Sequence, residues 1–265
     1  MLYSKTSLSK RKSNIERYYF FCYSNGGDNM QIIASDFDNT IFYKDRDEIN
    51  QKNIESIRKF IAEGNIFIII TGRNYTRLKK TIDEYNIPYN YLVCEDGAKI
   101  FNENDICIDS TYLDEEEIVK VKNVLEELNV DYYLDDGYNE TEKHEDCVKI
   151  VVRTSSLEEK EKILNAIYDK INVHIYASRN HVNIIHKTVN KEYALNRLFN
   201  IEKELDINKL HVVGDDLNDY EMLASFDGVI IKEHNPLLDE LNKKEYETIS
   251  DYIEELLEKN KLLQK

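Results

Sequence analysis

The run Ile66-Phe67-Ile68-Ile69-Ile70 places five apolar residues in succession without a polar break. A strand with one face in water would alternate, and a helix needs a longer segment to bury itself. Gly64 before the run and Thr71-Gly72 after it mark turns. The run therefore reads as a strand covered on both faces, and such strands belong to parallel sheets flanked by helices. The neighbouring pattern fits. Residues 31–35 predict a strand, and Asn50 is the expected N-cap of a helix carrying Ile54, Ile57, Phe60 and Ile61 at helical spacing. Residues 74–85 predict a second helix, and residues 91–94 a further strand.

The middle of the chain changes character. Short strands are expected over 105–108, 147–152, 173–176 and 182–186, with helices over 114–128 and 156–171 and a polar loop over 132–146. The alternating pattern then resumes: helix 191–205, strand 210–213, helix 217–225, strand 229–231 and a terminal helix over 251–262. The expected fold is α/β, a Rossmann-like parallel-sheet core with helices on both faces, carrying an inserted α+β unit. Residues 30–85 and 188–265 form the two parts of the core, and 86–187 the insertion, with 86–101 assignable to either.

Residues 1–29 differ from the rest. Lys5, Lys10, Arg11, Lys12 and Arg17 against Glu16 and Asp28 give about +3 locally, in a chain whose net charge is −16. They are expected to be an extension, either disordered or untranslated with Met30 as the true start. No apolar run reaches the length that spans a bilayer, and the acidic balance disfavours nucleic acid and anionic membranes. Cys22, Cys94, Cys107 and Cys147 form no Cys-x-x-Cys pair, which suits a reducing cytoplasm. Oligomeric state is not legible.

Asp36 and Asp38 follow the first expected strand, Thr71 the second and Asp215 the strand at 210–213. In a parallel sheet the carboxyl ends of the strands share one edge, where ligands bind. Three segments thus deliver Asp36, Asp38, Thr71 and Asp215 to one place. Carboxylates clustered there need compensation, and a hard divalent cation with oxygen ligands, Mg²⁺, supplies it. Phosphoryl transfer uses such a set: a carboxylate nucleophile, a proton carrier and positive charge on the phosphoryl oxygens. Lys191, opening a helix, can provide that charge. Each motif alone is weak, since Asp-x-Asp-x-Thr arises by chance in acidic chains, Thr71-Gly72-Arg73 can be a plain turn and Gly214-Asp215 a helix cap.

Taken together, Ile33-Ala34-Ser35-Asp36-Phe37-Asp38-Asn39-Thr40, Ile70-Thr71-Gly72-Arg73, Lys191-Glu192-Tyr193-Ala194-Leu195 and Gly214-Asp215-Asp216-Leu217-Asn218-Asp219 resemble, in order, the four motifs of the haloacid dehalogenase-like (HAD) superfamily. The likeness is to Cof-type phosphatases with a large cap between the second and third motifs, and Glu95-Asp96-Gly97-Ala98 is similar to that group's Asn-Gly-Ala turn. The resemblance implies that Asp36 is nucleophile and metal ligand, and Asp38 general acid/base and ligand through its carbonyl. It implies Thr71, Gly72, Arg73, Lys191 and Asn218 around the phosphate, and Asp215 and Asp219 at Mg²⁺. The implied activity is a Mg-dependent phosphatase acting on a small phosphorylated metabolite such as a sugar phosphate, through an aspartyl-phosphate. A phosphotransferase or phosphomutase with the same nucleophile, or a non-catalytic phosphate-ligand binding protein, are the alternatives. Asn39 and Glu192 stand where the family has glycine, and asparagine tolerates the left-handed backbone such a turn needs. His144 with Asp135, Asp136, Glu140 and Asp146 is expected to be a solvated loop rather than a second metal site. His174, His181 and His186 read as ordinary strand histidines, and Tyr132 and Tyr133 as candidates to line a pocket.

Overall fold

The computed structural model describes residues 30–178 and 180–263; the expectations for residues 1–29 lie outside them. Element order is β1 (Ile32–Asp36), α1 (Asp47–Ala62), β2 (Ile66–Ile70), α2 (Tyr75–Tyr85), β3 (Tyr91–Cys94), β4 (Lys99–Asn102) and β5 (Cys107–Ser110). Then come α3 (Glu115–Leu128), β6 (Tyr132–Asp135), β7 (Glu140–Thr141), β8 (Lys149–Arg153), α4 (Leu157–Ile167), β9 (Val173–Ala177) and β10 (His181–His186). The chain closes with α5 (Lys191–Ile201), β11 (Leu210–Gly214), α6 (Tyr220–Ser225), β12 (Asp227–Ile231), β13 (Lys244–Tyr246) and α7 (Ile249–Leu263).

Eight strands form one sheet in the order β13-β12-β11-β1-β2-β3-β4-β5. From β13 to β3 all neighbours are parallel, and β4 and β5 add an antiparallel edge. The all-apolar β2 is wholly buried, as its composition demands. One face of the sheet packs Ile33, Phe67 and Ile69 with Ile54, Ile57 and Phe60 of α1 and Ile253 and Leu257 of α7. The other packs Ile32, Ala34, Ile68 and Ile70 with Leu195, Leu198 and Phe199 of α5 and Met222 and Leu223 of α6. β1 lies between β2 and β11 and pairs in register with both. The crevice at its carboxyl end is the switch point of the sheet, where open α/β folds bind ligands.

The insertion builds a second, antiparallel sheet, β7-β6-β8-β10-β9. Its inward residues Leu134, Ile150, Val152, Val182 and Ile184 pack against Ile118, Val121 and Leu125 of α3 and Ile163 and Ile167 of α4. A small cluster of Ala98, Val148, Ile185 and Val189 joins the two units.

Several local expectations are corrected. The strand placed at 105–108 lies at Cys107–Ser110 and extends the first sheet, because its hairpin with β4 continues that sheet's edge. The loop expected over 132–146 contains β6 and β7; a strand with one inward apolar residue, Leu134, carries little periodic signal. Asn50 is not the N-cap of α1 but lies inside it, buried. Its carboxamide accepts from Tyr43 N (2.7 Å) and donates to Tyr43 O (2.8 Å), pinning the loop that follows Asp36.

Candidate active site

Asp36 closes β1 and is 5% exposed. Lys191, the first residue of α5, is 1% exposed, and its helix is started by Asn190, whose side chain accepts from Tyr193 N. That start aims the ammonium inward: Lys191 Nζ lies 2.5 Å from Asp36 Oδ1 and 2.5 Å from Asp219 Oδ1. Asp219 turns its other oxygen back to accept from the backbone N–H groups of Asp215 (3.0 Å) and Asp216 (3.1 Å). A Cβ on Gly214 would sit 2.5 Å from the Asp219 carboxyl carbon, so that turn requires glycine for space. Asp216 caps the short helical turn Leu217–Asp219. Asp215, the residue weighed as a cap, is thereby left to face Asp36, and Thr40 Oγ1 donates to its Oδ1 (3.0 Å).

One oxygen from each of Asp36, Asp215 and Asp219 can be chosen so that all lie within 4.8 Å of one another. Three buried carboxylates thus share one ammonium. Burial pushes Asp36 well above the ordinary carboxylate range, against the pull of Lys191 and with the push of Asp219 and Asp215. Asp215 rises to about 7, through burial first and then the Asp219 charge. Lys191 is held protonated, its burial outweighed by Asp219 and Asp36. A hard divalent cation fits this donor set: the ligands are all carboxylate oxygens, and the negative charge exceeds what Lys191 neutralises. Asp36 Oδ2 and Asp215 Oδ2 accept no hydrogen bond among the described residues, whereas both oxygens of Asp219 are engaged. Asp36 and Asp215 thus each keep an oxygen open to a ligand, whereas Asp219 spends its two on Lys191 and on the backbone of Asp215 and Asp216.

Asp38 stands apart from that trio. Its carboxylate is 49% exposed and is gripped by both arms of Arg73, at 2.5 Å and 2.8 Å. The loop between them is set by Asn39, whose φ of +63° is the left-handed conformation expected for it, and by Phe42 N donating to Phe37 O. The bridge between Asp38 and Phe42 uses the carbonyls of Phe37 and Phe42 and leaves that of Asp38 out of it.

Thr71, after β2, is buried, and its Oγ1 accepts from Arg73 N (3.2 Å). Asn218, expected near phosphate, donates its amide to Asp96 Oδ1 (3.2 Å) instead. Asp36, Asp38, Thr71, Gly72, Arg73, Asp215 and Asn218 nevertheless line a single cavity of 380 Å³ between the two units. Lys191 lines an adjoining cavity that shares Asp38, Arg73 and Asn218 with it.

A second buried cluster escaped the sequence reading. Lys149 of β8 reaches across from the insertion to Glu95 (2.5 Å), Asp96 (2.8 Å) and the carbonyl of Gly72 (3.0 Å). Tyr176 of β9 donates to Asp96 as well. Burial pushes Glu95 up to about 7 despite Lys149. Burial also works against Asp96, but Lys149 and Tyr176 hold it at about 2. A lysine inside the apolar run Cys147-Val148-Lys149-Ile150-Val151-Val152 was the available signal. Of the other candidates, His144 meets Lys122 (3.1 Å) and Asp135 accepts from Asn74 and Gly137 N. Asp36, Asp215 and Asp219 form the metal-capable group found among the described residues. Tyr133 lines the cavity, while Tyr132 bonds Glu126 on the helix-covered face. No described helix is long and apolar enough to cross a membrane.

The family model described as haloacid dehalogenase-like hydrolase matches residues 33–141 and 130–251. An inferred phosphatase of Buchnera aphidicola subsp. Schizaphis graminum is 22% identical over 229 residues, covering 73% of this chain and 81% of its own. Among solved structures, a HAD-superfamily phosphatase of Bacteroides thetaiotaomicron superposes with a TM-score of 0.73 at 15% identity, covering 88% of this chain and 96% of that one. A HAD subclass IIB sugar phosphatase gives 0.70 at 16% identity, covering 85% and 98%. At such identities the structural likeness concerns the fold.

Proposed function

We propose, from the premise that this chain belongs to the haloacid dehalogenase-like hydrolase family and is a phosphatase of that family, that it hydrolyses a small phosphorylated metabolite through an aspartyl-phosphate on Asp36. The observation that carries the reading is Lys191 Nζ at 2.5 Å from both Asp36 and Asp219, with Asp215 closing the group. One ammonium cannot balance three buried carboxylates, so the site is built for a divalent cation, taken here as Mg²⁺, together with a phosphoryl group.

In this mechanism one carboxylate oxygen of Asp36 attacks phosphorus, the other facing the cation, and the P–O bond to the leaving group breaks as the acyl phosphate forms. Lys191 and Thr71, with the backbone that follows Thr71, bind the phosphoryl oxygens whose charge grows in the transition state. Asp36, Asp215 and the carbonyl of Asp38, with Asp219 in support, would hold Mg²⁺, which would supply charge neutralisation at those oxygens. Asp38 carries the proton, first to the leaving oxygen and then from the water that opens the acyl phosphate. Because Arg73 grips both Asp38 oxygens, one of those bonds must be exchanged for the substrate oxygen when the proton moves. The cap is taken as the segment between Thr111 and Thr188, which covers the cavity and excludes bulk water. Free Cys94, Cys107 and Cys147 support a reducing, cytoplasmic setting.

Hydrolysis of p-nitrophenyl phosphate with and without Mg²⁺, for the wild type and Asp36→Asn, tests the reading. Metal-dependent turnover lost in Asp36→Asn is expected; turnover that survives the substitution would overturn it.

A further inference from the structure

The cavity has two ends, and only one of them is explained by phosphoryl transfer. Cross-strand partners share a face of a sheet. The register Tyr133↔Val151, Val151↔Asn183 and Asn183↔Tyr176 therefore sets these four side chains in one row across the inserted sheet. Their strand neighbours Leu134, Ile150, Val152, Val182 and Ile184 face the helices. The row, with His181 one step beyond, forms the wall of the cavity opposite the catalytic edge.

The cations along this cavity are Arg73, Arg77 and Lys149, and they differ in what they already hold. Arg73 is committed to Asp38, and Lys149 to Glu95 and Asp96. Lys191, on the adjoining cavity, is committed to Asp36 and Asp219. The guanidinium of Arg77 makes no hydrogen bond or ion pair among the described residues. In a chain of net charge −16 an uncommitted arginine beside the catalytic cavity is conspicuous. Its side chain is exposed and its backbone is held: it lies in the first turn of α2, where Asn74 donates to Asp135 (3.0 Å) and Tyr75 N donates to Gly137 O (2.8 Å). The nearby carboxylates are spoken for, Asp135 by Asn74 and Gly137 N, and Asp131 and Glu140 by Arg153. The His181 ring and the Tyr133 hydroxyl also lack hydrogen-bond partners among the described residues. His181 sits below its ordinary range, through burial first and then Arg153, Arg77, Lys160 and Lys149, so the surroundings of this wall are positive.

We infer that the leaving group carries a second anionic group, a carboxylate or a second phosphate, bound by Arg77 with Tyr133, His181 and Asn183 as its uncharged partners. The substrate class is then a doubly anionic phosphorylated metabolite, with the scissile phosphate at Asp36 and the other charge at Arg77. A forked guanidinium matches either anion in bidentate fashion. The inference deepens the phosphatase reading and rests on it.

The experiment compares kcat/KM on glucose 6-phosphate, 6-phosphogluconate and fructose 1,6-bisphosphate for the wild type and Arg77→Gln, with Arg58→Gln on the outer face of α1 as a remote control. The wild type is expected to prefer 6-phosphogluconate, fructose 1,6-bisphosphate or both over glucose 6-phosphate by about tenfold or more. Which of the two is preferred tells carboxylate from phosphate. Arg77→Gln is expected to collapse that ratio toward one, through KM, and Arg58→Gln to keep it. Equal use of the neutral and anionic sugars by the wild type, or a ratio unchanged in Arg77→Gln, would overturn the inference while leaving the phosphatase reading intact. Should the protein turn over none of them, calorimetric titration with 6-phosphogluconate separates the cases. Binding that weakens about tenfold in Arg77→Gln sustains the anion site and no Arg77-dependent binding sinks it, while the phosphatase reading stands or falls on p-nitrophenyl phosphate.

Discussion

Two buried lysines organise this molecule, and each is bound by two carboxylates. Lys191 meets Asp36 and Asp219, and Lys149 meets Glu95 and Asp96. The difference lies in what surrounds them. Around Lys191 a third carboxylate, Asp215, completes a group of excess negative charge. Around Lys149 the groups that bond Asp96 are neutral donors, Tyr176 and Asn218, Asp135 is held by Asn74 and Gly137 N, and Glu95, pushed to about 7, sheds part of its charge. The first cluster is short of positive charge and has carboxylate oxygens to spare, so it is suited to take up a cation and a phosphoryl group. The second is balanced within itself and ties the insertion to the loop at Gly72. What sets the first cluster apart is the third carboxylate gathered beside the pair that holds the lysine.

Removing each lysine should break the symmetry of that pair. Lys191→Met is expected to cut kcat by about a thousandfold, because it removes fixed charge at the phosphoryl oxygens. Lys149→Met should cost about 3 kcal/mol in stability by stranding buried acids, but only about tenfold in kcat. Urea denaturation beside steady-state kinetics measures both. Equal catalytic losses would mean that the two clusters are not functionally distinct.

A smaller effect is expected at Thr40, whose hydroxyl holds one oxygen of Asp215. Thr40→Val should raise the Mg²⁺ concentration for half-maximal activity about tenfold while sparing kcat at saturating metal. Mg²⁺ titration of activity reads it, and an unchanged metal requirement would remove Asp215 from the metal site.

The pH dependence of stability separates the clusters more gently. Asp215 is raised from its ordinary range to about 7. A carboxyl raised in the folded state favours folding fully below its unfolded value, and that contribution is lost as pH rises through about 7. The metal-free protein should therefore lose stability between about pH 4 and 8, and Mg²⁺, which takes the ionised form, should raise Tm more at pH 8 than at pH 5.5. Asp96, lowered to about 2, behaves in the opposite sense: its contribution is present above its unfolded value and lost only as pH falls toward 2. Glu95→Gln should be the mildest change, within about 1 kcal/mol of wild type at pH 6. It should gain on the wild type at pH 8, where the native glutamate must ionise in a buried site. Melting curves at the two pH values check both statements.

Much of the catalytic edge was legible because it obeys a topological rule. Asp36, Thr71 and Asp215 each follow a strand whose apolar run is visible, and parallel strands end at one edge. The αL turn at Asn39 was legible from residue chemistry. The Lys149 cluster was not, because it depends on how the inserted sheet lies over the core, and no local pattern encodes that approach. β6 was missed because its cavity face carries Tyr133 and Asp135, so only Leu134 showed the period of a strand. The pairing of Arg73 with Asp38 was hidden for a similar reason, since it joins two loops through side chains 35 positions apart.

The central claim is that Asp36 becomes phosphorylated. Rapid mixing with substrate and Mg²⁺, followed by borohydride reduction and peptide mass spectrometry, tests it most directly. Homoserine is expected at position 36 in the Asp38→Asn protein, in which the acyl phosphate should persist because its hydrolysis needs the Asp38 base. Homoserine at Asp215 or Asp219 instead, homoserine at Asp38 in the wild type, or turnover with no reducible acyl phosphate at any aspartate would contradict it.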